Sequence, residues 1–320
     1  MPLLRSLAFA AIAALIAALL AAITPAASLA SGAGRGAGIA ADPARGAPVE
    51  LRDDAGRSVS LPAPPARIVS LAPHATELLF AAGAGPRVVA IDRNSRFPPE
   101  ARALPRVVSH PQPDAEQLLA LAPELVVIWG PGASRALLER LEGLGIAVFV
   151  SEPRTLDDVA ATLDRFALLA EAPGQGREAA RRFRERLASV RARHAGAAPV
   201  RVFVQVWSAP LIGIADGDVI GDAVRSCGAV NVFADAPQVA PQLDAEAVIA
   251  ARPELVIATD GTQSEQRWRQ LGLIAPRGAA RFAAFDAATM EVPGPRVLDA
   301  LERLCAEIET VRRATRSTQP

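Results

Sequence analysis

The sequence predicts an α/β protein made of two similar lobes joined by a long α-helical connector. Three observations predict it. One stretch occurs twice: residues 111–128 (PQPDAEQLLALAPELVVI) and 241–258 (PQLDAEAVIAARPELVIA) are identical at ten of eighteen positions, at a constant offset of 130. Short apolar runs alternate with helical stretches around both copies, the pattern of a mostly parallel sheet covered on both faces. Between the copies, residues 155–194 keep helical periodicity, broken only at Pro173-Gly174.

Each copy reads as helix, turn and buried strand. Asp114 or Asp244 is the N-cap, Glu116 or Glu246 lies in the first turn, and Pro123 or Pro253 follows the last turn. The runs Leu125–Ile128 and Leu255–Ala258 are apolar throughout, as strands covered on both faces are. A single repetition gives too few units for a solenoid, so it marks a pair of lobes. Glu116 and Glu246 then occupy equivalent places. Each has an ordinary reading as a helix-dipole stabiliser, worth roughly 0.3–1 kcal/mol; their pairing across the lobes is what raises a functional one.

From the N-terminus, residues 1–30 read as a secretory signal: Arg5 precedes an apolar run from Leu7 to Ile23, and small residues follow at candidate cleavage positions. A membrane anchor is the competing reading. Residues 31–48, rich in Gly and Ala, read as a flexible leader. The first lobe spans 49–155. It opens with a hairpin over 49–61 that turns at Asp53-Asp54-Ala55-Gly56, then a strand at Ile68–Leu71 and a helix over about 75–82 stopped by Gly83. Strands follow at Val88–Ile91 and Val107-Val108, then the first copy. A helix over 134–144 and a strand at Val148–Val150 complete it.

The connector, 156–198, holds two helices. Leu156, Val159, Leu163, Phe166 and Ala170 line one face of the first, which Thr155 caps; Ala180, Phe183, Leu187 and Val190 line the second. The second lobe, 199–312, opens with a strand from Val200 that ends at Trp207. It continues with a helix over 220–227, the second copy, a strand at Phe282–Phe285, and a last helix from about Arg296 to Val311. Residues 313–320 read as a disordered tail.

The chain has 320 residues and zero formal net charge; it contains neither Lys nor Tyr. No basic excess calls for nucleic acid. The two cysteines, Cys227 and Cys305, form an even pair, which in an exported protein reads as a disulfide. His74, His110 and His194 are isolated, and the sequence carries neither a G-x-S-x-G turn nor a phosphate-binding lysine. No catalytic residue and no metal ligand set is assigned. Weight shifts toward a binding protein that holds its ligand between lobes. Candidate ligand contacts are His74, Asn94, His110, Trp129 and Trp207, at the carboxyl ends of strands. Each Trp could equally be core packing, and His74 could simply cap its helix.

The segment 67–78 (RIVSLAPHATEL), Phe97-Pro98-Pro99-Glu100-Ala101, the first copy running into Trp129, Gly221–Gly228 with Asn231-Val232-Phe233, and Gly294-Pro295-Arg296 resemble the cobalamin-binding branch of the helical-backbone solute-binding proteins of ABC importers. The likeness covers roughly residues 65–310. It implies two Rossmann-like lobes of periplasmic-binding-protein type. It also implies a corrinoid as bound ligand rather than a cofactor, a bridge between Cys227 and Cys305, and a periplasmic monomer. In that family one Glu on each lobe docks onto arginines of the permease dimer that works with ATPase subunits; Glu116 and Glu246 fall on those positions. Trp129 matches a cleft Trp, whereas Asn94 stands where the family has Tyr and His110 where it has Trp. Two alternatives remain: a haem or ferric-siderophore receptor of the same fold, and a secreted α/β metal-dependent enzyme.

Overall fold

The computed structural model describes residues 46–109, 112–275 and 278–317. The expected signal, most of the leader, and His110 lie outside these residues, and so do the last three of the tail.

The hairpin pairs β1 (Val49–Arg52) with β2 (Ser58–Leu61). The first-lobe elements are β3 (Ile68–Leu71), α1 (Pro73–Ala81), β4 (Val88–Asp92), β5 (Arg106–Val107), α2 (Ala115–Ala120), β6 (Leu125–Trp129), α3 (Arg135–Gly143) and β7 (Ala147–Ser151). Then come α4 (Leu156–Ala167) and α5 (Gly174–His194). The second lobe holds β8 (Arg201–Ser208), β9 (Leu211–Gly213), α6 (Val219–Ser226), β10 (Val230–Asn231), α7 (Ala245–Ala250), β11 (Leu255–Ala258), α8 (Gln263–Gln270), β12 (Arg281–Ala284), α9 (Ala287–Met290) and α10 (Val297–Ser317).

The first sheet runs β5-β4-β3-β6-β7, and every pairing is parallel. The second runs β10-β8-β11-β12, also parallel, with β9 antiparallel on β8. In each sheet the chain leaves a central strand, β3 or β8, in one direction and returns to its other side with the repeat strand, β6 or β11. The switch points of the two sheets therefore lie between β3 and β6 and between β8 and β11, where the carboxyl ends open a crevice.

Strand alternation sends successive side chains to opposite faces. Leu125 and Val127 of β6, like Leu255 and Ile257 of β11, join a central core with α1, α4, α5, α6 and α10. Val126 and Ile128 face an outer core with Leu118, Leu137 and Leu141; Val256 faces one with Val248 and Trp268. The central core is continuous through both lobes: Leu78, Phe166, Phe183, Val204, Ile220 and Leu301 belong to one cluster.

The connector is a helix pair. Thr155 caps α4 with a reciprocal bond to Asp158. α4 ends at Ala167, short of the expected break at Pro173-Gly174. α5 begins at Gly174, despite its two glycines. Space explains this: a Cβ at Gly176 would stand 2.6 Å from the Ala167 Cβ and 2.8 Å from the Ala82 carbonyl oxygen, so only glycine lets the helices approach. At the other end, α10 continues through Ser317, which corrects the expected disordered tail over 313–317. Arg312, 3 % exposed, holds the helix there by donating to the carbonyls of Ala198, Cys227 and Gly228. The disulfide Cys227–Cys305 joins the end of α6 to the middle of α10.

Candidate functional site

Trp129 ends β6 and Trp207 lies near the end of β8, so each marks the switch point of its own sheet. Their exposures are 50 % and 57 %, which decides against core packing. Both present large flat apolar faces. The Trp207 indole donates to the Ala209 carbonyl at 3.0 Å, which fixes its orientation. The core tryptophan is Trp268, fully buried, bonded to Gln205 at 2.7 Å and packed edge-on against Phe203.

Beside Trp129 lies the end of β7, with Trp129 opposite Ser151. The Ser151 hydroxyl is 3.1 Å from Nε2 of His74. His74 is only 4 % exposed and sits at the start of α1. Burial pushes its pKa down to about 4, so the imidazole is neutral at pH 7. It thus ties the start of α1 to the end of β7, beside Trp129. Asn94 is exposed just past β4, its backbone N–H bonded to the Asp92 carboxylate at 2.8 Å.

The second lobe contributes oxygen-rich strand ends that sequence reading missed. Asp218 caps α6, and burial raises its pKa. Glu291 is raised too, first by burial and then by the charges of Asp218 and Asp260; it accepts a bond from Thr259 at the end of β11. Nothing in the local sequence marks these carboxyls, because they converge from three separate segments. Among the described residues, no group of three or more His, Cys, Asp or Glu side chains is placed to hold a metal ion.

Glu116 and Glu246 are both exposed, and each occupies the second position of its helix, α2 or α7. These helices run back along the parallel strands, so both carboxylates stand at the strand-carboxyl end of their lobes. The caps match: Asp114 accepts from the Glu116 N–H at 2.9 Å and Asp244 from the Ala247 N–H at 2.7 Å. A groove of about 610 Å³ opens beside Glu246, lined by Pro210, Leu211, Leu243, Arg267 and Leu271 among others. Among the described residues, no helix is long and apolar enough to cross a membrane.

Residues 68–286 match the family model described as periplasmic binding protein. A vitamin B12-binding protein of Vibrio cholerae serotype O1 is 34% identical over 255 residues, covering 79% of this chain and 92% of that protein. One from Yersinia pestis is 33% identical over 258 residues, covering 79% of this chain and 90% of that protein. Among solved structures, the periplasmic vitamin B12 binding protein BtuF of Vibrio cholerae superposes with a TM-score of 0.72 at 33% identity, covering 78% of this chain and 98% of that one. The periplasmic heme-binding protein RhuT of Roseiflexus sp. RS-1 superposes with a TM-score of 0.66 at 26% identity, covering 77% and 98%.

Proposed function

We propose that this chain, which belongs to the periplasmic binding protein family, captures cobalamin or a related corrinoid between its lobes and delivers it to the permease of an ABC importer. The carrying observation is the pair of half-exposed tryptophans at the two switch points, Trp129 and Trp207. A corrin ring is broad and flat, and two indole faces on opposing lobes suit it. Relatives named for vitamin B12 support the same ligand, at identities above those of the haem-binding structures. The chain carries its ligand and does no chemistry on it.

Haem is the second reading, favoured by the structural likeness to RhuT. The chain has no Tyr to ligate ferric iron, and His74 is bonded to Ser151 inside the first lobe. Titration of the mature protein with cyanocobalamin, cobinamide and haemin, followed by absorbance and calorimetry, tests the choice. Binding of the corrinoids is expected; binding of haemin alone overturns it.

Delivery rests on Glu116 and Glu246. Matching acidic anchors on two lobes suit a two-fold permease that presents arginines, an arrangement that sets register and on-rate. Glu116→Arg and Glu246→Arg should each weaken uptake at a cost on the order of 1 kcal/mol, about fivefold, and roughly multiply when combined. Affinity for the corrinoid should stay unchanged; a loss there would move the residues into the binding site. Export through a cleaved signal at residues 1–30 belongs to this proposal, and mass measurement of the mature chain checks it.

A further inference from the structure

Two sequence motifs far apart in the chain meet across the lobes. Thr76-Glu77 lies in α1 of the first lobe, and Gly294-Pro295-Arg296 leads into α10. Arg296 donates through Nε to one oxygen of Glu77 at 3.1 Å and through Nη2 to the other at 2.6 Å. This is the two-pronged geometry that gives an ion pair direction as well as strength. The same guanidinium lies 3.7 Å over the ring of Phe97, which belongs to the loop after β4. Nη2 also donates to the Ala288 carbonyl in α9 at 2.8 Å. Arg296 is thus fixed on its own side by α9 and gripped on the other by two separate elements of the first lobe.

The contact is built for closeness. The Glu77 side chain is 7 % exposed and that of Arg296 26 %. A Cβ at Gly294 would stand 2.7 Å from a Glu77 carboxylate oxygen and 3.3 Å from the Glu77 Cβ, so a larger residue would press on the Glu77 side chain along its length. Glu77 sits four residues into α1 from its first residue, about 6 Å below the carboxyl end of β3 at the helical rise. The pair therefore lies just under the crevice.

We propose that Glu77 and Arg296, with Phe97, are the positioning residues that fix the angle between the lobes and so the width of the cleft. The shared apolar core holds the lobes together, but hydrophobic contact is non-directional and tolerates sliding. A forked ion pair with a ring stacked on its face does not. Buried ion pairs add little net stability, and fixing one arrangement among several is their better-attested use. The tryptophans at the two strand ends ride on this angle, whatever ligand lies between them.

Pulsed electron–electron distance measurement on the ligand-free, disulfide-bonded mature chain tests this independently of the cargo. Spin labels go on exposed Ala136→Cys in α3 and Gln266→Cys in α8. The parent should give one narrow distance distribution. Glu77→Gln and Arg296→Lys should broaden it, and Gly294→Ala should shift its mean. If Glu77→Gln fails to fold, Arg296→Lys, which keeps the charge and loses the fork, decides alone. Distributions unchanged in width and mean, with only the melting temperature lowered, would reduce the pair to a local structural contact and overturn the proposal.

Discussion

In the first lobe Arg67 reaches down to the carbonyls of Leu121 and Ala122, and Glu124 accepts the N–H of Ala66 at 2.6 Å. In the second, Arg201 reaches the carbonyls of Ala251 and Arg252, and Glu254 accepts the N–H of Arg201 at 2.9 Å. The same device thus ties the end of each repeat helix to the start of the central strand. The outer layers differ instead: α3 packs Leu137 and Leu141, whereas α8 buries Trp268 against Gln205. Anchoring the far end of a short helix fixes its tilt, and tilt decides where the residues of its first turn stand. The duplicated part is therefore the part that places Glu116 and Glu246 alike, while packing behind it is free to diverge.

The lobes differ most in their covalent anchoring, because only the second carries the disulfide. Replacing both Cys227 and Cys305 by Ser releases a constraint over a separation of 78 residues, worth about 4 kcal/mol in the chain-entropy description. Because one apolar core runs through both lobes, urea should still unfold the double variant in one transition, shifted to lower denaturant. Two separated transitions would show that the lobes are independent units.

Acid separates the lobes next. His74 in the first lobe is held neutral by burial, its pKa lowered from 6.5 to about 4. Below pH 6.5 the unfolded chain takes up a proton that the folded chain refuses, so stability falls as pH drops from 6.5 toward 4 and levels off below. The full loss is on the order of 3 kcal/mol. Glu291 and Asp218 in the second lobe are shifted upward. Their contribution has the other sign: it is present at low pH and is lost as pH rises above the ordinary carboxylate range. Melting temperatures of the parent and His74→Gln between pH 7 and pH 4 should diverge in slope. Parallel curves would mean that His74 is already protonated or solvated in the folded protein.

Much of this architecture is legible in the sequence, and the legible parts share a cause. The hairpin, the repeat strands and the cap at Thr155 are decided by neighbours within a few residues, where turn chemistry and periodicity act. The two-residue strand β10 is set by its pairing with β8 rather than by its own residues, and carries too few of them to show a pattern. α8 reads as polar throughout (QSEQRWRQ), so its buried Trp268 gave no amphipathic stripe. At the site, the exposure of Trp129 and Trp207 and the burial of His74 depend on what packs around them. The partnership of Glu77 and Arg296 spans 219 residues, and no local signal joins residues so far apart.

The smallest effect probes the repeat most closely. Ala122 and Arg252, at the same position in the two copies, adopt left-handed φ values of 43° and 46°. A side chain there costs roughly 1–2 kcal/mol, and glycine removes that cost while giving back roughly 0.5–1 kcal/mol through the entropy of the unfolded chain. Ala122→Gly and Arg252→Gly should therefore each stabilise the protein, by about 0.5–1 kcal/mol in urea denaturation. Equality between the two is the informative outcome, since Arg67 and Arg201 pull on the neighbouring carbonyls in the same way. A gain in one lobe and a loss in the other would mean that the helices end under different strain, and the matched placement of the two glutamates would then need another cause.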